Sequence, residues 1–281
     1  MKRFLYATFL STIFTINLSH GYSKKLTAIV DKIAKINEVQ GEYIGFAGVE
    51  SENYSNFKQL QKVATTEELV RLTENENAAV ACYAGWALVD KAYPDLKTIL
   101  QKFIQQNRQV ETLDGCIGSQ SDIASELYHR YWNSVDLSKR AADKTLLQLD
   151  SVVLFSKSAN WLLLVRAMEN RVYTAPFKVQ IAVLAFEQER REAIFYLCKW
   201  YRAEYIDKIK PALVNYLNKT NFKRTGTTDY YKTIQELFQF NDTEIKKAII
   251  AKMQQDRHWE LQKERFSYLL RDNYVFNIDS E

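Results

Sequence analysis

The sequence is short of the residues that build tight turns: 8 Gly and 3 Pro in 281 residues, against ordinary shares of roughly 7% and 5%. Such turns need backbone that tolerates positive φ or a φ already fixed by a ring, so this chain makes few of them. That argues against a β-sandwich, a propeller, a Gly-rich phosphate loop and a collagen-like or disordered chain. Cysteine is scarce too, at 3 residues, and so is histidine, also 3. Beyond the N-terminal segment no apolar run approaches the ~20 residues of a membrane helix. Neither sign of charge dominates: 38 Lys+Arg stand against 34 Asp+Glu, a net +4. What is left is a helical chain with short polar connections.

The first 23 residues, MKRFLYATFLSTIFTINLSHGYS, have the layout of a signal peptide. Lys2 and Arg3 form a positive start, Phe4 to Leu18 an uncharged, mostly apolar stretch, and small residues occupy the positions before a cut. Those residues are Ser19 and Gly21, or Gly21 and Ser23. Thr8, Ser11, Thr12, Thr15 and Asn17 interrupt the apolar stretch, which disfavours a stable spanning helix; an uncleaved N-terminal anchor is the competing reading. No Cys stands at the boundary for lipid attachment. The expectation is an exported protein, periplasmic or secreted, with one domain over 24–281 and no membrane span after cleavage. Removing 1–23 takes away two basic residues and no acid, so the charge falls from +4 to 36 − 34 = +2. A nucleic-acid footprint normally shows a clustered basic stripe, so no nucleic-acid partner is expected.

Cys82, Cys116 and Cys198 match no zinc pattern and no disulfide framework. Cys82 and Cys198 sit in apolar helical stretches, where a thiol behaves as a small hydrophobe. Cys116 lies in Asp114-Gly115-Cys116-Ile117-Gly118, which reads as a loop. A Cys82–Cys116 bridge and three inert thiols are the two readings.

Helical periodicity recurs along the chain. Thr65-Thr66-Glu67-Glu68 has a capping hydroxyl followed by acids, a helix start. Leu96, Ile99, Leu100, Phe103 and Ile104 keep helical spacing after Pro94. Windows beginning at Glu67, Asp150, Glu192 and Lys232 align without gaps as helix, polar turn, helix. Their third positions are Leu69, Val152, Ile194 and Ile234, and their sixth Leu72, Phe155, Leu197 and Leu237. The fourteenth are Val80, Leu163, Tyr205 and Ile245, and the eighteenth Ala84, Ala167, Ile209 and Ile249. The starts fit a period of about 41 residues, the first gap being two periods.

In this pattern the chain resembles the HEAT and armadillo repeat families. Leu69, Leu72, Asn75-Glu76-Asn77, Val80, Ala84 and Ala87-Leu88 follow a HEAT-like consensus. Ala81 replaces the Arg preferred there, and Val89 the Gly. The resemblance spans roughly residues 60–255 and implies an all-α superhelix of about five to six stacked helix pairs, a HEAT-like solenoid. It transfers no functional residue.

Candidate chemistry is thin. Tyr128, His129, Arg130, Tyr131 and Trp132 make the densest aromatic and reactive cluster. Glu126 and His129 are spaced to share a helix face, yet no second pair completes a metal site. Thiol catalysis by Cys116 with His129 lacks an activating context. The bland reading puts Tyr128 and Trp132 in the core; the functional one makes the cluster a partner surface, since Tyr, Trp and Arg are enriched in interface anchors. Three Gly fall between Gly41 and Gly48, around Tyr43 and Phe46. That marks irregular backbone, read as a connector or as a lip over a curved surface. No catalytic residue, metal ligand or cofactor is assigned. The expectation is an exported, non-enzymatic module that binds a protein partner, the alternative a hydrolase or lyase with its site near His129.

Overall fold

The computed structural model describes residues 21–275 and Ile278. Most of the expected signal peptide therefore lies outside the described residues. Fifteen α-helices run in the order α1 (Lys24–Ile36), α2 (Glu52–Val63), α3 (Thr66–Leu72), α4 (Ala78–Asp90), α5 (Leu96–Gln106), α6 (Ile123–Ser134), α7 (Lys144–Phe155), α8 (Trp161–Glu169), α9 (Phe177–Phe186), α10 (Arg191–Trp200), α11 (Arg202–Lys219), α12 (Phe222–Thr225), α13 (Thr227–Phe238), α14 (Thr243–Gln255) and α15 (Lys263–Asp272). Their principal contacts join helices one to three places apart in that order, as in a stack whose members share a core only with neighbours.

The four aligned windows each fold as helix, turn, helix: α3–α4, α7–α8, α10–α11 and α13–α14. The aligned apolar positions are buried in every window except at Phe155, which is exposed, and Tyr205, which is half-buried. Thr65 starts α3 with a reciprocal cap: its hydroxyl accepts from Glu68 N–H, and the Glu68 carboxylate accepts from Thr65 N–H at 2.9 Å. Helix α4 is apolar almost all round, which suits burial on every side. It packs on α1, α2, α3 and α6 and under two strands.

Those strands correct the all-α expectation. Strands β1 (Glu38–Ile44), β2 (Val49–Glu50), β3 (Gln109–Gly115) and β4 (Ile117–Asp122) form a mixed sheet in the order β2-β1-β3-β4. The two outer pairings are antiparallel hairpins, and the central pairing of β1 with β3 is parallel. The first helix stops at Ile36, because Asn37 takes the left-handed conformation at φ 55°. Asn107 ends α5 the same way at φ 47°. An order of helix, left-handed Asn, strand, hairpin, strand and capped helix thus occurs twice, as α1-β1-β2-α2 and α5-β3-β4-α6.

The strands are largely polar and exposed; only Val39, Gln40 and Val110 are buried. Their backbone groups satisfy one another, but they leave no apolar alternation in the sequence. The parallel register breaks between Gln40 and Ile44. There the Tyr83 hydroxyl, from α4, accepts from Gln40 N–H at 2.7 Å and donates to Gln40 O at 3.1 Å. The Gln40 side chain accepts from the Ser51 hydroxyl at 2.6 Å and from Asn53 N–H at 3.3 Å. One buried polar knot thereby ties β1 to α2 and α4.

Candidate functional site

The Gly-containing segment around Tyr43 and Phe46 is a hairpin turn rather than an irregular connector. Gly48 N–H donates to Gly45 O at 3.1 Å, and Ser51 N–H to Glu42 O at 2.9 Å. Gly45 and Gly48 have φ of 72° and 60°, angles at which a Cβ is strained. Phe46 and Ala47 are held between them. The second turn, read from sequence as a loop, joins β3 to β4 through Gly115 and Cys116. Asp114 pairs with Ile117, so the loop is Gly115-Cys116, with Gly at its first position and φ 55° there, as a Gly-first two-residue hairpin loop requires.

Because β1 and β3 are parallel, the two turns leave the sheet at the same end. Gly45 N–H donates to Gly115 O at 2.9 Å and fixes them side by side. Apolar side chains collect there in solvent: Phe46 is fully exposed, and Ile117, Val49 and Tyr43 are 73%, 62% and 58% exposed. The hairpin base is anchored on α2, where Lys58 Nζ lies 3.1 Å from Glu50 and 3.6 Å from Glu42. Val49 and Ile117 were not singled out from sequence; Gly115, at the first loop position, is the signal that would have placed Ile117 on a hairpin.

The other candidates lie on α6 and are largely engaged inside the protein. Tyr128 is buried and donates to Asp150 Oδ1 at 2.5 Å. Arg130 makes a bidentate pair with Asp90, Nε–Oδ1 2.9 Å and Nη2–Oδ2 2.6 Å, and lies over the Trp86 ring. Tyr131 donates to Asp143 at 3.1 Å. Trp132 donates from Nε1 to Asn170 at 2.8 Å, with the Arg140 and Arg166 guanidinium carbons 3.3 and 4.5 Å from its ring centroid.

His129 is half-buried against Trp132, ring centroids 5.9 Å apart. Burial lowers its pKa, and Arg166 and Arg140 lower it further. No carboxylate hydrogen-bonds it among the described residues, so nothing orients it as a general base. Among those residues no group of three or more His, Cys, Asp and Glu could hold a metal ion.

The α6 cluster opens onto a polar network centred on Asp150, which is fully buried. Asp150 Oδ1 also accepts from Asn170 Nδ2 at 2.8 Å. Its Oδ2 accepts from the Tyr173 hydroxyl at 2.7 Å and lies 3.2 Å from Arg171 Nη2. Burial outweighs these partners and raises the Asp150 carboxyl to about 6. All three cysteines are free: Cys82 and Cys198 are buried, and Cys116 is exposed on its turn, not inert in a core. Burial pushes the Cys198 thiol up to about 12 and the Cys82 thiol well above its ordinary value.

No family model, curated protein or solved structure matches the chain.

Proposed function

We propose that this protein is an exported, non-enzymatic protein-interaction module, in which a HEAT-like helical array holds a small sheet with its hairpin tips turned outward. The observation that carries the reading is the set of Phe46, Tyr43, Val49 and Ile117 at one end of the sheet. Large apolar side chains gathered in solvent are the usual mark of a partner surface. A fully exposed Phe on a hydrogen-bonded turn is suited to insertion into an apolar recess of another protein. The Tyr83–Gln40 knot supports this role by holding the hairpins rigid before a partner arrives.

Export is part of the proposal, and the start of α1 favours one of the two cuts. The Ser23 hydroxyl accepts from Leu26 N–H at 3.2 Å, and Tyr22 lies under Arg71, 5.0 Å from ring centroid to guanidinium. A cut after Gly21 keeps both contacts, whereas a cut after Ser23 removes the helix cap.

The test is paired affinity recovery from the native envelope and culture fractions, with the wild type and a Phe46→Ser/Ile117→Ser variant. One protein should co-purify in near-stoichiometric amount with the wild type and drop out with the variant. Recovery of both forms as lone monomers would refute the reading.

A further inference from the structure

We propose a second binding site, independent of the hairpin tips: a cleft between α8, α10 and α13 that takes an acidic peptide segment with an aromatic or large apolar side chain beside its carboxylate. The cleft encloses about 620 Å³, within the range of ligand pockets. Its lining includes the buried Met168, Phe195 and Tyr196, and its exposed aromatics are Trp161 and Trp200, 55% and 45% exposed. Flat aromatic surfaces beside a partly apolar lining favour aromatic and aliphatic side chains over polar ones.

The charges choose the ligand's sign. Every acid in the lining already has a basic partner: Glu169 pairs with Arg166, Glu192 with Arg190 and Arg191, and Asp229 with Arg191. Two lysines of the lining have none among the described residues. Lys199 Nζ rests 4.7 Å from the Trp200 ring centroid, and Lys232 Nζ 4.4 Å from that of Phe195. An ammonium on an aromatic face remains free to accept a carboxylate, and the ring lowers the cost of leaving water. Arg171, also in the lining, is already held by Asp150 and by the Ala141 and Arg140 carbonyls. Two unpaired lysines and two exposed tryptophans therefore match a carboxylate flanked by an apolar side chain.

The probe is a random peptide display library selected against the full chain, with the enriched peptides then measured by Trp fluorescence titration. The expected pool is rich in Asp or Glu next to Phe, Trp or Leu. A representative peptide should bind at least about tenfold more weakly to a Lys199→Glu/Lys232→Glu variant, and its affinity should fall as salt rises. Phe46→Ser should leave this binding unchanged, which separates the cleft from the hairpin surface. Where the double Glu variant loses its helical circular dichroism, Lys199→Gln/Lys232→Gln serves, with a smaller loss in the same direction. A pool without acidic enrichment, an absence of any enriched pool, or binding of the same cleft to neutral oligosaccharides instead would each overturn the proposal.

Discussion

Gly45 and Gly115 are joined by one backbone hydrogen bond of 2.9 Å, and it decides what the surface of this protein presents. Each glycine sits at the turn of its own hairpin, and the bond lies across the central parallel pair of the sheet. The parallel pairing brings Phe46 and Ile117 to one end of the sheet, and this bond holds their two turns side by side.

The knot beneath that end is open to a direct test. Tyr83→Phe removes the hydroxyl that serves both Gln40 N–H and Gln40 O. Leaving those buried groups unpaired should cost about 1–3 kcal/mol in urea unfolding. Amide hydrogen exchange should rise first in β1. Unchanged protection there would show that the hydroxyl is dispensable.

Asp150 predicts a pH dependence. Its folded-state pKa, about 6, lies above the ordinary 3.8, so its contribution to stability is full below about pH 4 and is lost as pH rises through 6. The shift corresponds to roughly 3 kcal/mol. The stability of the wild type relative to Asp150→Asn should therefore improve between pH 7.5 and pH 4.5, by roughly 2 kcal/mol of that amount. A constant difference across that range would contradict the buried, raised carboxyl.

Packing around α4 gives a third expectation. A Cβ on Gly85 would come 2.9 Å from Leu127 Cδ1 and 3.1 Å from Phe103 Cε2, both residues buried. Overpacking costs about 1–3 kcal/mol and helix propensity returns at most about 1. Gly85→Ala should thus lower stability by about 1 kcal/mol, read as a lower urea midpoint; a higher midpoint would show that the core yields.

The thiols separate by position. Under native conditions a maleimide should label Cys116 alone, because Cys82 and Cys198 are buried with raised pKa. Mass spectrometry should show one adduct, and three only after denaturation. Native labelling of Cys82 would mean that α4 is less enclosed than its packing indicates.

These elements also show how far the sequence could be read. The helix pairs were legible because Leu69, Val80 and Ala84 and their counterparts must face a shared core, which stamps a helical period on the chain. The cap at Thr65 was legible for a similarly local reason. The sheet was not, because β3 and β4 bury almost nothing and their polar side chains alternate without contrast. The parallel pairing of Val39 with Thr112 joins distant segments, and no local pattern encodes it. Of the site residues, Tyr43 and Phe46 were found through the glycines around them. Val49 and Ile117 were missed, although Gly48 precedes the one and Gly115 and Gly118 stand around the other. Tyr128 and Trp132 read chiefly as core residues, but their partners Asp150 and Asn170 come from segments that only the tertiary fold brings near.

The central claim is that the paired hairpin tips contact another protein. Its most direct test is photocrosslinking in the native host with benzoylphenylalanine placed at position 46, and at position 268 as a surface control on α15, since Tyr268 is exposed. The account predicts one discrete adduct with a second protein from position 46 and none from position 268. No adduct from position 46, or the same adducts from both positions, would contradict it.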